Sequence, residues 1–105
     1  MQIQINTDRH IESNERLIRE TEASVRDALE RFSAQVTRVE VHLSDENNDQ
    51  RGGASDKRCL LEARVASLQP IAVKHEASTV QLAVDGAAEK LKRSLESTLG
   101  RLGHR

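Results

Sequence analysis

The stretch from Ser78 to Leu102, STVQLAVDGAAEKLKRSLESTLGRL, constrains the fold more than any other part of the chain. Its apolar residues recur at Val80, Val84, Ala87, Leu91, Leu95, Thr98/Leu99 and Leu102, in steps of three and four. With about 3.6 residues per turn, these positions form one stripe over about six turns of helix. Ser78 followed by Gln81 carries the spacing of a capping box, which predicts the start. Asp85, Glu89, Lys90, Lys92, Arg93 and Glu96 fall on the other faces. A helix of this kind needs an apolar surface beneath it, and the rest of the chain is read for that surface.

The upstream residues supply it. Gln2 to Thr7 alternates polar and apolar, the period of a half-buried strand. After a turn at Asp8-Arg9-His10, Ser13 or Asn14 is placed to cap a helix whose first turn holds Glu15. Leu17, Ile18, Thr21, Val25, Ala28, Leu29 and Phe32 give that helix its apolar stripe. Alternation returns from Thr37 to Leu43, from Lys57 to Ser67 and from Ile71 to Glu76. The segment 44–56, SDENNDQRGGASD, reads as a flexible polar loop between two of these strands. The Gln69-Pro70 step predicts a tight link, since proline forces extended geometry on the residue before it.

The order is therefore β-α-β-β-β-α, an α+β fold with a four-stranded sheet and two helices packed on one face. Only one parity of each strand is consistently apolar, so both helices must share that face. The other face is polar: Gln2, Gln4, Glu40, His42, Glu62, Arg64, Lys74 and Glu76. With Phe32 the sole aromatic residue, the core has to be thin and aliphatic. The chain of 105 residues is expected to be a single domain, 1–105, with 103–105 a frayed C-terminus. One cysteine, no apolar run long enough for a bilayer and no signal sequence predict a cytoplasmic, non-membrane protein.

Enzyme chemistry finds little to stand on. Gly52-Gly53 lies in the polar loop rather than between a strand and a helix, so it is no phosphate-binding loop. Cys59 and His75 share the core parity and invite a thiol–imidazole reading, but no third residue orients them. The plainer reading makes Cys59 a small buried apolar residue. A metal site from His42, Cys59 and His75 fails because His42 points to the other face. Asp45-Glu46 reads as a solvated pair. The chain is expected to be no enzyme, with no cofactor, no metal and no small-molecule substrate.

Two helices on one sheet face also describe double-stranded-RNA-binding domains, which read a duplex by shape and phosphate contact. A lone aromatic excludes a base-stacking platform, leaving Lys and Arg to contact phosphate. The net charge of −1 is unhelpful to such contact, but the distribution is uneven. From Thr79 onward, Lys90, Lys92, Arg93, Arg101 and Arg105 outnumber Asp85, Glu89 and Glu96. In the first helix the acids prevail over Arg16, Arg19, Arg26 and Arg31. The competing reading of Lys90, Lys92 and Arg93 is a solvated helix back that complements the C-terminal dipole.

Ala83-Val84-Asp85-Gly86, then Lys90-Leu91, Arg93 and Leu95, resembles the second helix of the ribosome hibernation-promoting factor and ribosome-associated inhibitor (sigma-54 modulation protein) family. Arg31-Phe32 followed by VTRVEVHLSDEN, DKRCLLEARV and QPIAVKHEA looks like the same family in the same order. The resemblance covers nearly the whole chain and is similar to the short, single-domain form. It implies a translation-inhibiting hibernation factor whose partner is the ribosome, bound to small-subunit rRNA in the mRNA/tRNA channel under stress or in stationary phase. Lys90 and Arg93 carry over from the family motif as RNA-binding residues. Lys92 and Arg101 are added from the charge pattern of the same helix, and Arg26 and Arg31 from the first. Asp85 has two readings, a family-matched position or an acid stabilised near the helix start. Gln81 stands where an aromatic is common, and the first helix has arginines diluted by glutamates where lysines are usual. A divergent paralogue serving as a protein-interaction or regulatory module without rRNA is the alternative, and nothing here requires self-association.

Overall fold

The computed structural model describes residues 1–46 and 56–103, with side chains through residue 100. Strand β1 (Gln2–Thr7) leads to helix α1 (Glu15–Ala28) and a 3₁₀ turn (Glu30–Phe32). Strands β2 (Val36–Asp45), β3 (Lys57–Val65) and β4 (Ile71–Ala77) follow, and helix α2 (Val80–Gly103) ends the described chain. The sheet order is β1-β2-β3-β4. β1 runs parallel to β2, while β2–β3 and β3–β4 are antiparallel. The sheet is thus mixed, with α1 as the crossover that a parallel pair requires.

Each strand shows one face to the core, as its alternation dictates. Val39, Val41, Leu43, Cys59, Leu61 and Ala63 are buried, and from α2 so are Ala83, Val84, Ala87, Ala88, Leu91 and Leu95. Val25, Leu29 and Phe32 close the core from the other helix. α2 lies over β3 and β4, and α1 packs beside it toward β1. Fully burying one such aliphatic side chain is worth about 1.5–3 kcal/mol.

Several local expectations shift. The cap of α2 is Thr79, whose Oγ1 accepts from Leu82 N at 3.1 Å, rather than Ser78. Gln81 is turned away from the helix start, so no capping box forms. Its amide donates to Ser24 Oγ at 3.0 Å and Asp85 Oδ1 at 2.9 Å, joining the two helices. Of the two candidates for the α1 cap, Asn14 is the one used, its Oδ1 accepting from Leu17 N at 2.8 Å. Ile18 was expected on the stripe but stays 39% exposed, because α1 buries a narrower face centred on Thr21 and Val25.

β2 continues to Asp45, so residues 44 and 45 are strand rather than loop. Lys57 closes that end of the hairpin, its Nζ 3.0 Å from Asp56 Oδ2 and 3.6 Å from Asp45 Oδ2. The hydrogen bond to Asp56 holds its ammonium pKa above the ordinary value. The rest of the expected flexible loop, 47–55, lies outside the described residues, as do 104–105 of the expected frayed end. β3 stops at Val65 rather than Ser67, because Ser67 takes φ 66° in the turn toward β4. The β1–α1 connection is anchored by Asp8, whose Oδ1 accepts from His10 N and Ile11 N and whose Oδ2 accepts from Asp45 N. That anchoring seats Ile11, absent from the expected core, at 7% exposure.

At Gly86 the backbone of α2 lies directly against the His75 side chain of β4. A Cβ there would lie 2.0 Å from Cδ2 of His75 on β4, whereas a Cβ at Gly100 would meet nothing within 4 Å. Alanine gains about 1 kcal/mol of helix propensity over glycine, but overpacking costs about 1–3 kcal/mol. Gly86→Ala is therefore expected to lower the urea midpoint and Gly100→Ala to raise it modestly. Adding His75→Ala to Gly86→Ala should recover part of the loss.

Candidate nucleic-acid interface

The nominated cations leave α2 on different sides, because a helix turns about 100° per residue. Lys90 reaches over β4, where its Nζ donates to the Lys74 carbonyl at 2.9 Å. Lys92 points the other way and lines an open hollow of about 360 Å³ with Asp27, Ala28, Glu30 and Arg31. Arg93 stands between, 72% exposed at its side chain, with Nε 3.5 Å from Glu89 Oε2. The side chain of Arg101 lies outside the described residues. On α1, Arg26 pairs with Glu22 at 2.9 Å and donates to the Met1 carbonyl at 3.4 Å. Arg31 pairs with Glu96 of α2 at 3.1 Å, its guanidinium 5.0 Å from the centre of the Phe32 ring.

The structure thus brings Arg31 and Lys92 together on the α1–α2 seam and keeps Lys90 apart from them. Among the described residues Lys92 has no ion-pair partner, while Arg26, Arg31 and Arg93 each share a carboxylate. The seam is polar and of mixed sign. Sequence reasoning missed Asp27, Glu30 and Glu96 as its acidic half. Acids four residues apart on a helix are visible in a sequence, but a contact between Arg31 and Glu96 needs the helix packing.

Asp85 falls in the second turn of α2, past the N–H groups that carry the dipole charge. It accepts from Gln81 and so helps hold the helix pair together. Its reading as an acid stabilised at the helix start is corrected accordingly.

The thiol–imidazole pair is adjacent, since Cys59 and His75 are direct register partners on β3 and β4. Cys59 is fully buried, however, and burial pushes its thiol up to about 12. A nucleophilic cysteine is shifted the other way, toward the thiolate. His75 Nδ1 is buried with no hydrogen-bond partner among the described residues. The ring fills the gap under Gly86, which is a packing role.

Two helices on one face of a mixed β-α-β-β-β-α sheet, with cations and no aromatics on the helix seam, define a small two-layer α+β class of protein. The chain belongs to the sigma 54 modulation protein / S30EA ribosomal protein family, a family of ribosome-associated factors, whose model matches residues 3–102. No curated protein sequence matches it. The fold is similar to the Thermus thermophilus Protein Y N-terminal domain, with a TM-score of 0.73 and 17% identity over 93% of this chain and 99% of that one. It is also similar to a ribosomal subunit interface protein from Coxiella burnetii, with a TM-score of 0.73 and 14% identity over 95% and 99%. No helix among the described residues is long and apolar enough to cross a membrane.

The native protein is expected to resist iodoacetamide at about pH 8 while the urea-unfolded chain is alkylated at Cys59. Mass spectrometry reads the difference, and equal labelling would mean an accessible thiolate. The linked pH effect has a fixed sign. Between the ordinary thiol value of 9.0 and about 12 the unfolded chain binds fewer protons, so the Cys59 contribution to stability falls as pH rises.

Proposed function

We propose that this chain acts as one domain, in the cytoplasm, as a hibernation-type factor that binds small-subunit rRNA in the mRNA/tRNA channel and inhibits translation under stress or in stationary phase. The observation that carries the reading is the family match over nearly the entire chain. The helix layer supplies the chemistry: on the seam, Lys92 has no ion-pair partner among the described residues and Arg31 of the 3₁₀ turn is exposed, with Arg93 exposed on α2 and Arg26 on α1. Arg101 extends the row along the sequence of α2, and Lys90 would have to leave the Lys74 carbonyl to join it.

The carboxylates on these arginines do not forbid phosphate. Exposed ion pairs are worth about 0.2–1 kcal/mol, while charge-assisted contacts with phosphate are roughly twice as strong as neutral hydrogen bonds. Phosphate therefore displaces Glu89 or Glu96 at small cost. The cost is still real for each pair. With a net charge of −1, the affinity is weaker and its salt dependence shallower than for a basic relative.

Sedimentation with purified ribosomes through sucrose tests the proposal. The protein should travel with the small subunit at about 50 mM salt and be released by about 200 mM. Lys92→Glu combined with Arg93→Glu should abolish co-sedimentation without changing the circular dichroism. Glu96→Gln, which frees Arg31, should strengthen binding a few-fold. A protein that stays at the top of the low-salt gradient would lose the rRNA reading and leave the protein-interaction module in its place.

A further inference from the structure

The face of the sheet that the helices leave open carries an ordered pattern of charge. Glu40 on β2 stands directly opposite Glu62 on β3, and in the next row on that face Arg38 stands opposite Arg64. Like charges placed directly across an antiparallel pair repel. His42, two residues beyond Glu40, shares the same face because side chains alternate along a strand.

Their geometry is more specific than their charge. Nε2 of His42 lies 3.6 Å from Glu40 Oε1 and 3.4 Å from Glu62 Oε1. One donor atom from each of the three residues falls within 4.8 Å of the others. Both separations exceed the 2.7–3.2 Å of an ordinary N–H···O bond. They are near the roughly 3.3 Å edge between donors that each sit about 2.0–2.1 Å from a tetrahedral zinc ion. The other oxygen of Glu40, Oε2, is 3.2 Å from Arg38 Nε, an ion pair that leaves Oε1 turned toward the histidine. Arg38 also donates to Gln4 through its guanidinium end, while its buried Nε makes a charge contact with Glu40 and no hydrogen bond among the described residues. A cation beside the second oxygen is the kind of outer partner that accompanies a ligating carboxylate, here acting through charge. Beside the carboxylates, an open hollow of about 110 Å³ lined by Glu40, Glu62, Arg64 and Pro70 leaves room for a fourth ligand such as water.

We propose that Glu40, His42 and Glu62 form a binding site for a divalent transition-metal ion of the zinc class on the open face of the sheet. A dication between the two opposed glutamates turns their repulsion into attraction. One imidazole and two carboxylates suit zinc, cobalt or nickel. Calcium favours six to eight oxygen ligands and magnesium an octahedral oxygen shell, so neither fits this set. The three side chains are 28%, 39% and 48% exposed, which leaves the ion direct access from solvent. The site lies on the sheet face opposite the helices and does not depend on the rRNA reading.

Titration of the EDTA-treated protein with ZnCl₂ tests this, followed by calorimetry and by the imidazole signals in NMR. One equivalent is expected to bind and to move the His42 ring signals, while MgCl₂ at the same concentration moves nothing. Loss of an outer-shell partner typically weakens a metal site 10–100-fold, so His42→Ala and Glu62→Gln should each weaken zinc at least tenfold with circular dichroism unchanged. Arg38→Gln should weaken it less. The proposal is overturned if zinc does not bind, if binding survives His42→Ala undiminished, or if zinc moves the signals of His10 or His104 and leaves His42 in place.

Discussion

The close seating of α2 on β3 and β4 is the contact on which the rest of the arrangement depends. A core with one aromatic residue cannot fill a wide gap between layers, so the layers must be near. Small residues make that approach feasible: Ala83, Ala87 and Ala88 are buried, and Gly86 lets His75 lie against the helix backbone. Leu91 and Leu95 are then fully buried between the layers. Once α2 is fixed, Gln81 bonds Ser24 near its start and Glu96 meets Arg31 further along. The position of α1, and with it the polar seam, follows from how α2 is laid down.

Most of this layering was legible because strand parity and helix period are read directly from apolar spacing. β1 has the expected limits, and the face on which both helices lie follows from alternation alone. Two of the differences share one origin, namely side chains that choose a distant partner over a local one. Gln81 leaves its own helix start for Ser24, so the capping box dissolves and Thr79 takes over. Asp8 looked like an ordinary turn residue, yet it receives Asp45 N from 37 positions away and fixes the entry to α1. The parallel pairing of β1 with β2 is likewise a matter of register, which no local pattern states.

The candidate sites divide in the same manner. The basic character of α2 was visible, but its partition was not, since Lys90 and Lys92 differ by two residues in sequence and by opposite sides of a cylinder in space. Fold comparison with neighbours at 14% and 17% identity supports the framework and leaves the side chains to be argued individually. Glu40 and His42 could be assigned to one face by counting. Placing Glu62 opposite Glu40 required the β2–β3 register. A single slip of that register would have sent Glu62 to the core side.

The bond from Lys90 to the Lys74 carbonyl has a consequence for how copies of the chain meet. β4 is an outer strand, and unpaired backbone groups on such a strand are a template for adding another. Lys90 occupies one acceptor there and sets an ammonium group above the strand. A second copy approaching by its own β4 would bring Lys74 and Lys90 toward their counterparts and have to desolvate like charges to pair. The lysine whose role was carried over from the family motif thus also places a like-charge barrier in the way of β4-to-β4 pairing.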